Sequence, residues 1–539
     1  MRRMKKGVLL AQAAASALLF ALGLPNELFP YGLPVLGYVA LIPLYFALGD
    51  APSYGFAAVT AGLYGALHHG LSSYWLYFFH GFAFWTLGST VIAYFIVYAV
   101  WGLYLGYFVK KSGVWRPLAF AVFWAVFEYA KSTGFLGYPW GLLSYTQTRA
   151  LPLLQIADMT GVYGITFFLA FANGALAELL LRHGGPVLAP RNDIPRPRAL
   201  ALPFALREAA AALLLVAVVA AYGWWRLAAP ARQTGSITAE IVQQNADPWN
   251  MDEAEGVLKN IRLARAGLEA SGRKPDIILF SESSLEVPFL IDQPWYERNP
   301  ASDPFLPFVR QTGSYFLTGS PVILDPVKLE ATNSVILISP EGRQVGEYAK
   351  VHPVPFAEAI PFWEIKPFRE FIQKVVGLDS GWTMGTEFRN FSLPVGAKTY
   401  RFGAPICFED AFPDVCRQFA LKGADLFINL TNDSWSMTGS SEIQHFAAAR
   451  FRAIEFRKTL VRSTNGGVSC VVEATGRARD ELPLFKDASE VVDLPVYGGN
   501  PPTLYLLWGD WFAYSCMLLF AAWFLILWVG ESGSRRRQS

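Results

Sequence analysis

The feature that most constrains this chain is where its long apolar runs lie. Eight stretches, near 7–24, 34–50, 54–72, 87–109, 116–131, 161–181, 208–229 and 507–530, approach the length needed to cross a bilayer. An α-helix needs roughly 20 residues to span the hydrocarbon core. Seven of the runs precede residue 232, one follows residue 500, and the stretch between them reads as an ordinary folded domain. A length of 539 residues would otherwise suggest several soluble domains. Charged residues are 16% of the chain, against about 25% in an average soluble domain, and the apolar runs account for the deficit. The expected plan is a polytopic helical membrane domain of seven spans over 1–232, a globular domain over 233–500, and a last span with a basic tail over 501–539.

Basic residues test this plan independently, because Lys and Arg collect on the cytoplasmic side of membrane spans. Arg2, Arg3, Lys5 and Lys6 precede the first run, and Lys110, Lys111 and Arg116 separate the fourth from the fifth. Arg182, Arg191, Arg196, Arg198 and Arg207 separate the sixth from the seventh, and Arg535, Arg536 and Arg537 follow the eighth. Counting from a cytoplasmic amino terminus puts every cluster inside, while 25–33 and 73–86 carry no Lys or Arg and fall outside. The same count places both termini in the cytoplasm and 232–505 on the outer face. The first run follows MRRMKK, as in a signal peptide, but six more runs before the globular domain and no A-x-A site favour a retained helix. Two aromatic-rich stretches, 73–86 and 134–145, have the composition of an interfacial belt or of a surface that guides lipid chains.

A net charge of +2, with no basic patch interleaved with aromatics, sets nucleic acid aside. Cysteines 407, 416, 470 and 516 form no CxxC pair, and none sits at zinc spacing with histidine, so neither a disulfide scaffold nor a metal site is expected. The adjacent His68 and His69 close an apolar run and read as helix-end polar groups.

From about 236 the pattern becomes short β-branched runs bounded by turn residues, including ITAEIVQQN, DIILFSES, NSVILISPEG, YRFGAPICFED and ADLFINLTND. Helical stretches such as 252–270 and 441–457 lie between them, and that alternation indicates a layered α/β fold. Three reactive residues fall at strand ends: Glu282 in DIILFSES (276–283), Lys350 in EYAKVHPVPFAE (347–358) and Cys407 in RFGAPICFED (401–410). Singly, each has an ordinary reading as a surface carboxylate, a solvated lysine or a small buried thiol. Cys416, Cys470 and Cys516 lack comparable context and read as packing.

Taken together these runs resemble the Glu-Lys-Cys triad of the nitrilase (carbon–nitrogen hydrolase) superfamily, and FINLTNDSW (427–435) and FRAIEFRKTLVRSTNGGVS (451–469) resemble it further. EYAKSTGFLGYPWGLLSYTQ (128–147), GVYGITFFLAFANGALAELL (161–180) and TLYLLWGDWF (503–512) are similar to the membrane-bound branch, the apolipoprotein N-acyltransferases of the bacterial inner membrane. The resemblance implies an αββα sandwich facing the periplasm. It implies transfer of a fatty acyl chain from a phospholipid sn-1 ester, through a Cys407 thioester, to the α-amino group of an S-diacylglyceryl cysteine at the amino terminus of an apolipoprotein. Glu282 would be the general base, a role that works best when burial lifts a carboxyl toward neutrality. Lys350 and the backbone N–H of Phe408 would hold the oxyanion, where fixed donors are typically worth about 3–4 kcal/mol each. Glu358 and Glu409 are the carboxylates that would keep Lys350 charged. Ester to thioester to amide is downhill, so no cofactor is implied.

The chain has Phe280-Ser281 where the family usually has Trp-Pro, and Phe408 where it often has Tyr; Trp249 lies near a family tryptophan. Residues 354–380 mix proline with aromatics directly after Lys350. They suggest either a plain surface loop or a membrane-facing lid in which Phe356, Phe362 and Trp363 touch lipid. Two other readings compete: a membrane-tethered amidase, in which water replaces the amine, and a multi-span scaffold carrying an inactive nitrilase domain. The intact triad disfavours the second, and the apolar runs disfavour the first.

Overall fold

The computed structural model describes residues 4–79, 84–183, 198–229, 231–247, 253–298, 305–327, 330–376 and 381–538. Trp249, Arg191 and Arg196 lie outside them. The chain separates into two compact units, one drawn from Met1–Thr133, Gly137–Ala229 and Trp508–Ser539, the other from Gly134–Leu136 and Pro230–Leu507.

The first unit is helical. Among the described residues five helices are long and apolar enough to cross a membrane: Lys6–Gly23, Phe84–Lys111, Val162–Leu181, Ala205–Ala228 and Trp511–Gly530. That is fewer than the eight expected, and the reasons are local. The run 34–50 is split into a 3₁₀ turn, Pro34–Tyr38, and a nine-residue helix, Ile42–Asp50, each with proline at its start. Nine residues rise only about 14 Å, under half of a ~30 Å hydrocarbon core. The runs 54–72 and 116–131 are helical, as Tyr54–Ser72 and Arg116–Ser132. The first dilutes its apolar residues with Gly, Ser, Thr and His, and the second is short and carries Arg116, Glu128 and Lys131.

Small residues set one close helix pairing. A Cβ on Gly102 would sit 2.4 Å from that of Ala61, and one on Gly106 would sit 2.8 Å from that of Ala57. Helices Tyr54–Ser72 and Ser89–Lys111 therefore approach as only a Gly-xxx-Gly face allows, the usual route to tight packing where lipid supplies no hydrophobic drive. His68 and His69 end their helix, as expected, but are buried, with rings stacked on Tyr64 and Tyr94. The aromatic stretch 134–145 is in large part not a surface belt: Trp140, Leu142, Leu143 and Tyr145 are buried. Lys131 Nζ donates to the carbonyls of Tyr138 (3.3 Å) and Trp140 (2.6 Å), and Glu128 accepts from the Leu143 N–H at 2.7 Å. Those bonds fold the stretch inward, whereas Tyr77, Phe78 and Trp85 remain exposed.

The second unit is a two-sheet sandwich. Its strands are β1 (Gln233–Gln243), β2 (Ile277–Leu279), β3 (Tyr315–Asp325), β4 (Glu330–Ile338), β5 (Gln344–Ala349), β6 (Phe391–Val395), β7 (Lys398–Gly403), β8 (Leu426–Thr431), β9 (Leu460–Thr464), β10 (Cys470–Val472), β11 (Ala478–Arg479) and β12 (Ala488–Tyr497). One sheet runs β12-β1-β2-β3-β4-β5 and the other β11-β10-β9-β8-β7-β6. Each has a parallel centre, β1-β2-β3 and β7-β8-β9, with antiparallel margins. Strands buried on both faces read as continuous apolar runs, which explains Ile-Ile-Leu in β2 and the wholly buried β8.

Helix Glu253–Ser271 places Val257, Ile261, Ala264 and Leu268 on one stripe and lays it on Val242, Ile278 and Phe316 of the first sheet. Helix Phe305–Thr312 adds Phe305, Phe308 and Val309 to the same core. On the second sheet, helix Pro413–Leu421 brings Phe419 so close to Gly403 that a Cβ there would lie 2.4 Å from the ring. Helix Gly439–Phe456 packs Phe456 on Phe427 of β8. The two sheets meet through β9, where the Ser463 hydroxyl donates to the Leu279 carbonyl of β2 at 3.1 Å and reaches the Val242 carbonyl of β1 at 3.5 Å. Helix, sheet, sheet and helix form the αββα order expected from the sequence.

Candidate active site

Glu282, Lys350 and Cys407 follow β2, β5 and β7, and Asn432 and Asn465 follow β8 and β9. In parallel α/β sheets the carboxyl ends of strands share one edge, so residues far apart in sequence converge there. Glu282 is held close to β3: a Cβ on Gly319 would lie 2.3 Å from the Ser283 nitrogen, so only glycine fits.

Glu282 and Lys350 are buried, and the Lys350 Nζ lies 3.4 Å from Glu282 Oε1 and 2.7 Å from Glu358 Oε1. Asn333 on β4 bridges the two carboxylates, its Nδ2 donating to Glu282 Oε1 at 2.8 Å and to Glu358 Oε1 at 3.1 Å. Glu282 Oε2 accepts from the Asn432 N–H at 2.9 Å, and Glu358 Oε2 from the Val354 N–H at 2.7 Å. Burial alone would lower the Lys350 pKa, but Glu282 and Glu358 outweigh it and hold the ammonium well above its ordinary range. Lys350 is therefore a fixed cation.

Cys407 opens a 3₁₀ turn, Cys407–Ala411, with φ of +48°, a left-handed conformation that a non-glycine residue keeps only when its surroundings impose it. Burial first, and then the Glu282 charge, push its thiol well above the usual range, against the opposing pull of Lys350. The resting group is a thiol, so attack by sulfur must coincide with loss of its proton to a base.

Glu409 does not touch Lys350. Its Oε1 accepts from the N–H groups of Val351 (2.7 Å) and His352 (2.9 Å), its Oε2 from Ile406 N–H (2.8 Å), and Tyr348 OH donates to both oxygens at 3.0 and 3.1 Å. Burial pushes the Glu409 carboxyl up to about 7, while the Ile406 and His352 N–H groups, the Lys350 charge and the Val351 N–H pull it down, so Glu409 feels the ammonium without bonding to it. Its position ties the chain after Lys350 to the residue before Cys407. Only Glu358 pairs with Lys350 directly, together with Glu282.

Behind Cys407 lies a charge network that the sequence reading did not anticipate. The Thr431 hydroxyl donates to Asp433 Oδ1 at 2.9 Å. His445 sits between two carboxylates, Nδ1 at 2.8 Å from Asp433 and Nε2 at 2.8 Å from Asp410. Both ring nitrogens must carry protons to serve both acceptors, so His445 is an imidazolium. Arg462 pairs with the same two carboxylates, at 3.0 Å from Asp433 Oδ2 and in close contact with Asp410. Burial would lower the His445 pKa, but Asp433 and Asp410 raise it to about 9. Burial would raise Asp433, but His445 and then Arg462 lower it to about 2. Glu442, also buried, is pushed well above its range by burial and by Asp433. The runs NLTND and SEIQH contain Thr431, Asp433, Glu442 and His445, but nothing in their spacing shows that the fold brings them together with Asp410 and Arg462.

The segment after Lys350 leaves and returns at the site. Gly385 N–H donates to the Lys350 carbonyl at 2.7 Å and Trp382 N–H to the Glu358 carbonyl at 2.9 Å. Between these ties Phe356, Phe362, Ile365 and Phe371 are exposed and Trp363 is half-buried; 377–380 lie outside the described residues. Cys416 and Cys470 are buried in the sandwich, and Cys516 packs on Val122, Ala125 and Val126 in the helical unit.

Two family models match the chain: the apolipoprotein N-acyltransferase N-terminal domain over residues 16–175 and carbon-nitrogen hydrolase over 238–494. The chain is 38% identical to apolipoprotein N-acyltransferase 2 of Treponema denticola, with 94% of each chain covered. It is 30% identical to the apolipoprotein N-acyltransferase of Borreliella burgdorferi, again with 94% of each covered. That of Geobacter metallireducens is also 30% identical, over 94% of this chain and 92% of its own. Matched over nearly its whole length in both of its units, this chain belongs to the apolipoprotein N-acyltransferase family.

Proposed function

We propose that the protein moves a fatty acyl chain from a phospholipid, through a Cys407 thioester, onto the α-amino group of an S-diacylglyceryl cysteine at the amino terminus of an apolipoprotein. The observation that carries this reading is the buried Glu282–Lys350–Glu358 cluster, with Cys407 within its electrostatic reach, in a chain whose described residues also hold five membrane-length apolar helices. The amidase alternative gives no role to those helices.

In this reading Glu282 accepts the Cys407 proton as sulfur attacks the ester carbonyl. Its Oε1 is occupied by Asn333 and Lys350, and Oε2 has one bond from Asn432, which leaves an Oε2 lone pair for the proton. The tetrahedral oxyanion is held by Lys350 Nζ and the Phe408 N–H. Collapse breaks the ester C–O bond, and Glu282 returns its proton to the departing alkoxide, which leaves as lysophospholipid. The acceptor's α-amine, with a pKa of about 8 and partly neutral near pH 7, then attacks the thioester carbon. Glu282 takes a proton from the amine and passes it to the leaving thiolate, which restores the thiol. Both lipids use one sulfur in turn, so the kinetics are ping-pong and no cofactor enters.

Glu358 holds Lys350 charged, and Glu409 aligns the Lys350 and Cys407 loops. The exposed aromatics on 354–371, rooted at Lys350 and Glu358, act as a lid that touches lipid through Phe356, Phe362 and Trp363. The basic clusters support a location in the bacterial inner membrane, with the catalytic unit periplasmic and both termini cytoplasmic. The test is intact mass after incubation with a defined phospholipid. Wild type should gain one hydroxylamine-labile acyl chain that a diacylglyceryl-cysteine peptide discharges as an amide, and Cys407→Ala should gain none. A folded wild type that gains no acyl mass would return the choice to the amidase.

A further inference from the structure

We propose that Asn429 sets the oxyanion donor by clamping the peptide plane between Cys407 and Phe408; the inference rests on the acyl-transfer reading above. Asn429 lies on β8 and is fully buried. Its Nδ2 donates to two carbonyls on either side of the nucleophile turn, Pro405 O at 3.0 Å and Cys407 O at 3.1 Å. Both partners are acceptors, so the amide can only face them nitrogen first, and both of its hydrogens are committed. Its Oδ1 has no partner among the described residues, so the residue meets the turn's needs rather than its own.

The Cys407 carbonyl and the Phe408 N–H belong to one planar trans peptide and point in opposite directions. Fixing the carbonyl therefore fixes the N–H that must meet the developing oxyanion. Two anchors act one residue earlier: Glu409 Oε2 holds the Ile406 N–H at 2.8 Å, and the Glu409 N–H holds the Ile406 carbonyl at 3.0 Å. The i→i+3 bonding of the 3₁₀ turn engages the Cys407 carbonyl from within the turn, and Asn429 uses its other lone pair to tie that peptide, which follows a residue with φ of +48°, to β8. A carbonyl that accepts a hydrogen bond also polarises its peptide and strengthens the N–H at the far end. Asn429 is a positioning residue, since it acts through the backbone and does not meet the substrate.

The test uses full-length protein in nanodiscs and two rates on the same sulfur: acyl gain from phospholipid, which needs an oxyanion hole, and alkylation of Cys407 by iodoacetamide, which does not. Removing a fixed oxyanion donor costs roughly 10²–10³ in rate. Asn429→Leu, which leaves the donor present but unties its peptide from β8, should slow acyl gain about tenfold to a hundredfold. Alkylation should change less than about twofold by the same argument, and the phospholipid concentration for half-maximal rate should stay as in wild type. Asn429→Ser, a smaller change that keeps one donor, should fall between and guards against misfolding of the leucine variant. Wild-type acyl gain in either folded variant overturns the assignment. So does a parallel loss of both rates, which would make Asn429 a support for the fold alone. If wild type itself takes no acyl chain while alkylating normally, the acyl-transfer reading fails and the inference falls with it.

Discussion

His445→Gln tests the charge network behind the nucleophile, and its size follows from the structure. The imidazolium is almost fully buried, bonded to Asp433 and Asp410 at 2.8 Å each, with Arg462 on the far side of both carboxylates and Glu442 beside Asp433. Moving an imidazole from an ordinary value near 6.5 to about 9 is worth about 3 kcal/mol. Breaking a buried ion pair typically costs about 3–5 kcal/mol, which agrees. The sign follows from linkage. A group whose pKa is raised by folding adds stability that is complete below the unfolded value, here about 6.5, and is lost as pH rises through about 9. Glutamine does not titrate, so the deficit of His445→Gln should be largest at pH 6 and nearly gone above pH 9.5. Hydrogen exchange of peptides covering 407–411 and 426–433, corrected for intrinsic rate, reads this directly. At pH 6 the variant should exchange about 100-fold faster, since 1.4 kcal/mol is a factor of ten. Equal protection at pH 6, or wild-type protection that stays flat from pH 6.5 to 9.5, would refute the argument.

Two further outcomes follow from the site. Glu358→Gln removes the 2.7 Å partner of Lys350 and leaves Glu282 as the carboxylate paired with it among the described residues, so the ammonium is drawn onto the base and thioester formation should slow at least about tenfold. Acyl gain at the wild-type rate would mean that Glu358 does not place Lys350. Replacing Phe356, Phe362 and Trp363 together by Ala should impair thioester formation from phospholipid in bilayers while a water-soluble thiol reagent still reaches Cys407. Unchanged acylation would remove the lid.

Much of this molecule was legible in order along the chain. Apolar length marked the long helices of the first unit, though not the one-turn helices Leu151–Leu154 and Ala157–Thr160, and strand-like runs marked the strands around Glu282 and Cys407, because both patterns follow from local periodicity. Span count was less legible. One run divides between Tyr38 and Ile42, each piece opened by a proline and too short to cross, and the stretch containing Trp140 is turned inward by Lys131 and Glu128. Glu409 shows the same limit: two residues from Cys407 in sequence, it bonds the backbone after Lys350 and not Lys350 itself.

By itself, then, the sequence determined the two-part plan and marked Glu282, Lys350 and Cys407 as the candidate trio, since runs of hydrophobicity and strand-end polar residues are properties of neighbours along the chain. Only the tertiary structure decided that Lys350 stands between Glu282 and Glu358, that His445 is held charged between Asp410 and Asp433, and that Asn429 grips both carbonyls around Cys407. Those facts depend on strands from different parts of the chain ending at one edge, where burial removes the water that would otherwise weaken each charge and each hydrogen bond.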